Sequence, residues 1–110
     1  MYQRLNISKE SLVEFCQKWK IDKLSVFGSI LRDDFNSESD IDFLVTFKRD
    51  ADWSLFDHVG MREELQNLIG RQVDLLTEKA LANSGNWIRQ KEIQETASQI
   101  YPVMESVYVA

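Results

Sequence analysis

Residues 40–47, DIDFLVTF, constrain the fold of this chain more than any other stretch. They alternate: Ile41, Phe43, Val45 and Phe47 fall on one side, and Asp40, Asp42, Leu44 and Thr46 on the other. A period of two is that of an extended strand. One face is wholly apolar and has to be covered, so the strand belongs in a sheet with helices packed against it. The opposite face begins with two carboxylates. Being two residues apart, they point the same way, about 6–7 Å from each other along the chain.

The flanking sequence supplies the remaining elements. Over residues 8–19, Leu12, Phe15, Cys16 and Trp19 recur at helical spacing behind Ser8, a plausible N-cap. Cys16 sits on that stripe and reads as core. Residues 23–27 form a short strand with Leu24 and Val26 apolar, ending at the turn signal Gly28-Ser29. One helical turn over 30–32 and a polar loop over 33–39 lead into the strand at 40. After a polar connection, Ser54 can cap a helix running to about 69, with Leu55, Val59, Leu65, Leu68 and Ile69 as its stripe and Gly70 as its left-handed C′ residue. Residues 72–77, QVDLLT, read as a third strand. A short turn at 78–81, a break at Asn83-Ser84-Gly85 and a helix over 86–98 follow. A last strand over 100–104 would be confined to a sheet edge by Pro102. The expected class is α/β (α+β), one sheet flanked by helices, built as a single domain over residues 1–110.

Thirteen Lys and Arg against 18 Asp and Glu leave a net charge of −5. An acidic chain is a poor nonspecific binder of nucleic acid or of an anionic membrane, since both need a basic surface. No apolar run approaches the ~18 residues of a membrane span. The N-terminal residues lack the apolar core of a signal peptide. A single cysteine cannot form an internal disulfide, which suits a reducing compartment. A cytoplasmic protein is expected.

Asp74 falls in the middle of the apolar strand Val73-Asp74-Leu75-Leu76. With Asp40 and Asp42, it puts three carboxylates on one sheet, with no Lys or Arg inside either strand to pair them. A divalent cation resolves the repulsion: Mg²⁺ takes oxygen ligands, and completes its shell with water and substrate phosphates. Two such ions would give the arrangement for in-line displacement at phosphorus. At the end of the preceding strand, Gly28 allows close backbone approach, Ser29 offers a hydroxyl and an amide, and Arg32 can reach the same anion. A phosphate cradle beside a metal-binding pair describes nucleotidyl transfer from a nucleoside triphosphate. Plainer readings stand beside this one. Asp74 could pair with Arg71 or a lysine, and Arg32 with a neighbouring carboxylate. His58 reads as a helix-surface residue. Trp19, Trp53 and Trp87 read as packing, although one of them could line an adenine pocket.

Gly28-Ser29, ten residues, then Asp40-Ile41-Asp42 resembles the signature of the DNA polymerase beta-type nucleotidyltransferase superfamily. The stretch FGSILRDDFNSESDIDFLV looks like that of its smallest members, the minimal nucleotidyltransferase (MNT) proteins. Val73-Asp74-Leu75, Thr77 and the helix ending near Tyr101 are similar to the rest of the pattern. The resemblance implies a polymerase beta-like fold with a small mixed sheet. It implies that Gly28 and Ser29 hold the triphosphate of ATP, that Asp40 and Asp42 bind Mg²⁺, and that Asp74 completes one metal site and orients or deprotonates the incoming hydroxyl. It further implies a hetero-oligomer with a helical HEPN-domain toxin, which the MNT antitoxin modifies by moving AMP onto a tyrosine. Asp33 adds a negative charge near the cradle and motivates an alternative, an antitoxin that neutralises its partner by binding alone.

Overall fold

The computed structural model describes residues 5, 7–33, 35–36 and 38–102. Helix α1 (Lys9–Lys18) starts at Ser8, whose hydroxyl accepts from the Ser11 amide at 3.1 Å, and buries Leu12, Phe15 and Cys16. Burial pushes the Cys16 thiol up to about 12, which fits a core residue. Strand β1 (Ile21–Phe27) begins two residues earlier than its alternation suggests, because Ile21 is also fully buried. A single 3₁₀ turn, Gly28–Leu31, follows. Strand β2 is Ile41–Phe47, helix α2 is Leu55–Ile69, and strand β3 is Val73–Thr77. The short helix α3 (Glu78–Ala82) is capped by Thr77, and α4 (Trp87–Thr96) by Asn86. Strand β4 is Ser98–Tyr101, ending where Pro102 removes a donor. Its expected extension to Met104 lies outside the described residues.

The four strands form one mixed sheet in the order β3-β2-β1-β4. β1 pairs antiparallel with both β2 and β4, and β2 pairs parallel with β3 across the α2 crossover. On one face Ile41, Phe43 and Val45 meet Leu24, Val26 and Val73, covered by α1 and α2 in the main core. On the other, Phe27 and Leu44 meet Leu81 of α3 and Ile93 of α4 in a smaller cluster. No helix among the described residues is long and apolar enough to cross a membrane.

Helix α2 departs from its expected stripe. Met61, Leu65 and Ile69, each four residues apart, are buried, whereas Leu55 is 79% and Val59 44% exposed, and Leu68 is 37% exposed. The neighbouring row explains the rotation. Arg62 Nε donates to the Val73 carbonyl at 2.8 Å, Gln66 accepts from the Val73 amide at 3.0 Å, and a ring nitrogen of His58 lies 3.1 Å from the Leu75 carbonyl. β3 is an edge strand, and its open backbone groups would otherwise invite pairing with another chain. The helix turns these polar side chains toward the strand, and that carries Leu55 and Val59 outward. His58 is accordingly half-buried and structural rather than a surface residue.

Candidate active site

Parallel pairing of β2 with β3, and antiparallel pairing of β1 with β2, gather three strand ends at one end of the sheet. Asp42 lies opposite Phe27, the last residue of β1, and opposite Asp74 on β3. The Asp42 and Asp74 carboxyl groups come within hydrogen-bonding reach of each other. Burial first, then the charge and hydrogen bonding of Asp74 and the charge of Asp40, push Asp42 up to about 6, with Arg89 pulling the other way. Of the three aspartates only Asp42 is partly buried; Asp40 and Asp74 are exposed. The cost of placing carboxylates on this strand pair therefore falls on Asp42.

Gly28 adopts φ +76°, in the left-handed region that side-chain-bearing residues rarely enter. A Cβ there would run into Asp42 Oδ2. Glycine thus permits the bend out of β1 and lets the most perturbed carboxyl group pack against its bare backbone. The turn that follows is four residues of 3₁₀ helix rather than an α-helix start, so little helix dipole is available to an anion. The Ser29 hydroxyl donates to the Asp40 carbonyl at 3.2 Å and ties the turn to the loop entering β2. Arg32 closes the turn, its amide donating to the Ser29 carbonyl at 2.9 Å, and is exposed. Asp33 is exposed as well.

The donor set suits a hard cation. Among the described residues no three Asp, Glu, His or Cys side chains are placed to enclose a metal unaided. The set fits a cation held through one or two carboxylates that completes its shell with water and phosphate oxygens, the usual Mg²⁺ arrangement.

Two arginines shape the site in ways the residue pattern does not announce. Arg71 does not pair with Asp74. Its guanidinium donates to the carbonyls of Asn36 (2.8 Å) and Ser39 (2.9 Å) and lies 4.5 Å over the Phe35 ring, pinning the loop that delivers Asp40. Arg89 precedes Ile93 by one turn of α4. Ile93 packs in the cluster with Phe27 and Leu44, which brings the Arg89 charge to bear on Asp42. Only knowledge of which face of α4 docks would have picked it out. Trp19 and Trp53 pack edge-on at 5.2 Å, and Trp53 Nε1 donates to the Trp19 carbonyl, so both are structural. Trp87 is 68% exposed.

A family model described as the nucleotidyltransferase domain matches residues 8–100. The chain belongs to that family. It is 35% identical over 66 residues to the "Putative protein adenylyltransferase MJ1379" of Methanocaldococcus jannaschii, a match covering 60% of this chain and 66% of the relative. It is 32% identical over 68 residues to the protein adenylyltransferase MntA of Thermococcus cleftensis, covering 62% of this chain and 67% of that one. The match thus spans about two thirds of each of these relatives. The crystal structure of a toxin–antitoxin with AMP-PNP superposes with a TM-score of 0.66 over 94% of this chain and 80% of that one. At 14% identity that likeness is one of fold. The expected polymerase beta-like architecture, a small mixed sheet flanked by helices, is the observed one.

Proposed function

We propose that this nucleotidyltransferase-family chain moves AMP from ATP to a tyrosine hydroxyl of a HEPN-type toxin partner, and so acts as its antitoxin. The observation that carries the reading is the Asp42–Asp74 carboxyl pair packed against the Gly28 backbone at the end of β1. The relatives' names support protein as the acceptor class, and the toxin–antitoxin with AMP-PNP supports both an ATP-like nucleotide and a toxin partner.

In this reading the phenol oxygen forms a bond to the α-phosphorus, the bond from that phosphorus to the bridging oxygen breaks, and pyrophosphate leaves. Asp40, Asp42 and Asp74 would hold one or two Mg²⁺ ions, which would supply charge to stabilise the attacking and leaving oxygens. Asp74 orients the hydroxyl and takes its proton, which passes on to water. Gly28, Ser29 and Arg32 hold the triphosphate. The Ser29–Asp40 bond keeps that cradle in register with the carboxylates, and Arg89 offsets negative charge from the α4 side.

The test is transfer of label from α-labelled ATP to the partner, with pyrophosphate release followed in its presence and absence. Label on the partner is expected, with Asp74→Asn cutting transfer by ~10²–10⁴-fold, the usual range for a group that moves a proton. Rapid pyrophosphate release by the isolated chain, or efficient labelling of a free small molecule, would replace the protein acceptor with a small one. A partner neutralised without label would leave the binding-only alternative.

A further inference from the structure

Of the three aspartates, Asp40 alone has no place in the sheet. Asp42 and Asp74 stand opposite each other in the parallel ladder, where strand pairing fixes their backbones. Asp40 is exposed and belongs to the loop before β2, so the position of its carboxyl group depends on what holds that loop. The residues before it close a turn with their own hydrogen bonds. The Ser39 amide donates to the Asn36 carbonyl at 3.1 Å, the Glu38 amide to Asn36 Oδ1 at 2.8 Å, and the Asn36 amide to Ser39 Oγ at 3.1 Å. A turn knit in this way shifts as one body, and Asp40 shifts with it. A cleft of about 660 Å³ separates it from the C-terminal end of α2, with Glu38 and Asp40 on one side and Asn67 and Gly70 on the other. The helix gives the turn no support across that gap.

Arg71 bridges it. Its Nη1 donates to both carbonyls of the turn, Asn36 and Ser39, while the guanidinium lies over the Phe35 ring, which packs on the main core. The next residue, Gln72, accepts from the Ile41 amide at 3.1 Å through its backbone carbonyl. Two positions further on stands Asp74. One short segment, 71–74, therefore grips the approach to Asp40 and carries Asp74. From the β1 side, the Ser29 hydroxyl holds the Asp40 carbonyl. Arginine suits the task, because a planar guanidinium can donate to two carbonyls and lie flat on a ring at once, which an ammonium group cannot.

We propose that Arg71 is a positioning residue: by tying the turn at 36–39 to the segment that leads into β3, it sets where the Asp40 carboxylate stands relative to Asp42 and Asp74, and so how well the three suit a small hard cation. The inference rests on the metal-dependent nucleotidyl-transfer reading above and adds a residue that acts through Asp40 without touching the nucleotide. The choice of cation exposes such a role. Mg²⁺ demands near-ideal octahedral geometry, whereas Ca²⁺ accepts irregular sets of oxygen ligands.

The experiment measures ATP binding to the full chain by calorimetry, with Mg²⁺ and again with Ca²⁺. Arg71→Ala is expected to weaken Mg²⁺-dependent binding by ~10–100-fold, the range for losing a group that orients a metal ligand. Ca²⁺-dependent binding should fall by less. Arg71→Lys, which keeps the charge and can still donate, should lie between Arg71→Ala and the wild type. In the metal-free chain, amide exchange at Glu38, Ser39 and Asp40 should quicken in Arg71→Ala while that of β1 holds, as local loosening requires. Cys16→Ala, a core change on the opposite face of the sheet, should lower Tm and leave the ratio of Mg²⁺ to Ca²⁺ affinities at the wild-type value. Phe35→Ala, which removes the ring beneath the guanidinium, is the second variant in case Arg71→Ala does not fold, and the same bias against Mg²⁺ is expected of it. Equal losses with the two cations, which would mark a direct phosphate contact, or an unchanged Mg²⁺ affinity in a folded Arg71 variant, would each overturn the assignment. A wild type that binds ATP with neither cation would overturn the nucleotidyl-transfer reading itself; one that binds it while the Arg71 variants keep the wild-type ratio sinks only the positioning role.

Discussion

The sheet face carrying Ile41, Phe43 and Val45 is sealed by α1 and α2, and all three side chains are at 0% exposure. The opposite face of the same strand carries Asp42, Leu44 and Thr46. There the cover is the five-residue α3 and the ten-residue α4, which close over Leu44 and stop short of Asp42. The apolar face holds the fold together by removing hydrocarbon from water. The other face leaves carboxyl groups crowded at its open end, where an apolar pair would stabilise the fold more. A charged, imperfectly satisfied patch on an otherwise consistent fold is where function is expected.

Truncating the sealed face should have the largest effect. Phe43→Ala is expected to cost about 3–5 kcal/mol, the range for an emptied aromatic site. That is a large part of the ~5–15 kcal/mol by which a small domain is stable. Urea unfolding followed by circular dichroism measures it. A loss no larger than that of a surface substitution would mean the face is not the core.

On the open face, Asp42→Asn should do the reverse: abolish metal-dependent ATP binding, read by calorimetry, yet raise Tm at pH 7. The sign follows from the carboxyl group lying above its ordinary value, at about 6 rather than 3.8. Between these values the folded form holds more protons than the unfolded form, so stability falls as pH rises through that window and stays lower above it. The asparagine variant should escape this loss. Its gain, measured without divalent cations, should be present at pH 7, shrink as pH falls from about 6 toward 3.8, and vanish only well below 3.8, where Asp42 is protonated in both states. A lower Tm than wild type at pH 7 would contradict the crowding.

Gly28→Ala tests the boundary between the faces. It adds a side chain in left-handed backbone, at a cost on the order of 1–3 kcal/mol, and pushes against Asp42 Oδ2. Both Tm and ATP affinity should fall, whereas a change at an ordinary turn glycine would lower Tm alone. The smallest effect is expected from Arg89→Ala. With an exposed guanidinium gone, Tm should hold, and ATP should bind several-fold more weakly at low salt, less so at high salt, since solvent-exposed charges are screened.

Much of this was legible in the residue order. The alternation of DIDFLVTF survives as the two faces of β2, and the caps at Ser8 and Ser54 sit where side-chain oxygens can meet open helix amides. The Gly28 position was legible because a strand ending in glycine before a turn implies close backbone approach. The stripe of α2 was misread because Leu55, Val59 and Leu68 are as apolar as the residues that are buried. Only the demand of the β3 edge for hydrogen-bond partners decides which row turns inward. The plainer reading of Asp74 as a partner of Arg71 does not hold, since Arg71 is engaged by the loop carbonyls of Asn36 and Ser39, which are invisible in the sequence from a distance of more than thirty positions.

By itself, then, the sequence determined the local periods, the helix starts, and the placing of Asp42 on the side of β2 away from Ile41 and Phe43, because these follow from backbone geometry over a few residues; Asp40, expected to open that strand, lies in the loop before it. The tertiary structure alone decided that Asp74 stands opposite Asp42, that the Asp42 carboxyl group packs against the bare backbone of Gly28, and that Arg71 holds the entering loop. Those relations come from strand pairing between distant segments. Register across a sheet is set by the burial of whole faces and the closing of hydrogen-bond ladders, which no single stretch of chain contains.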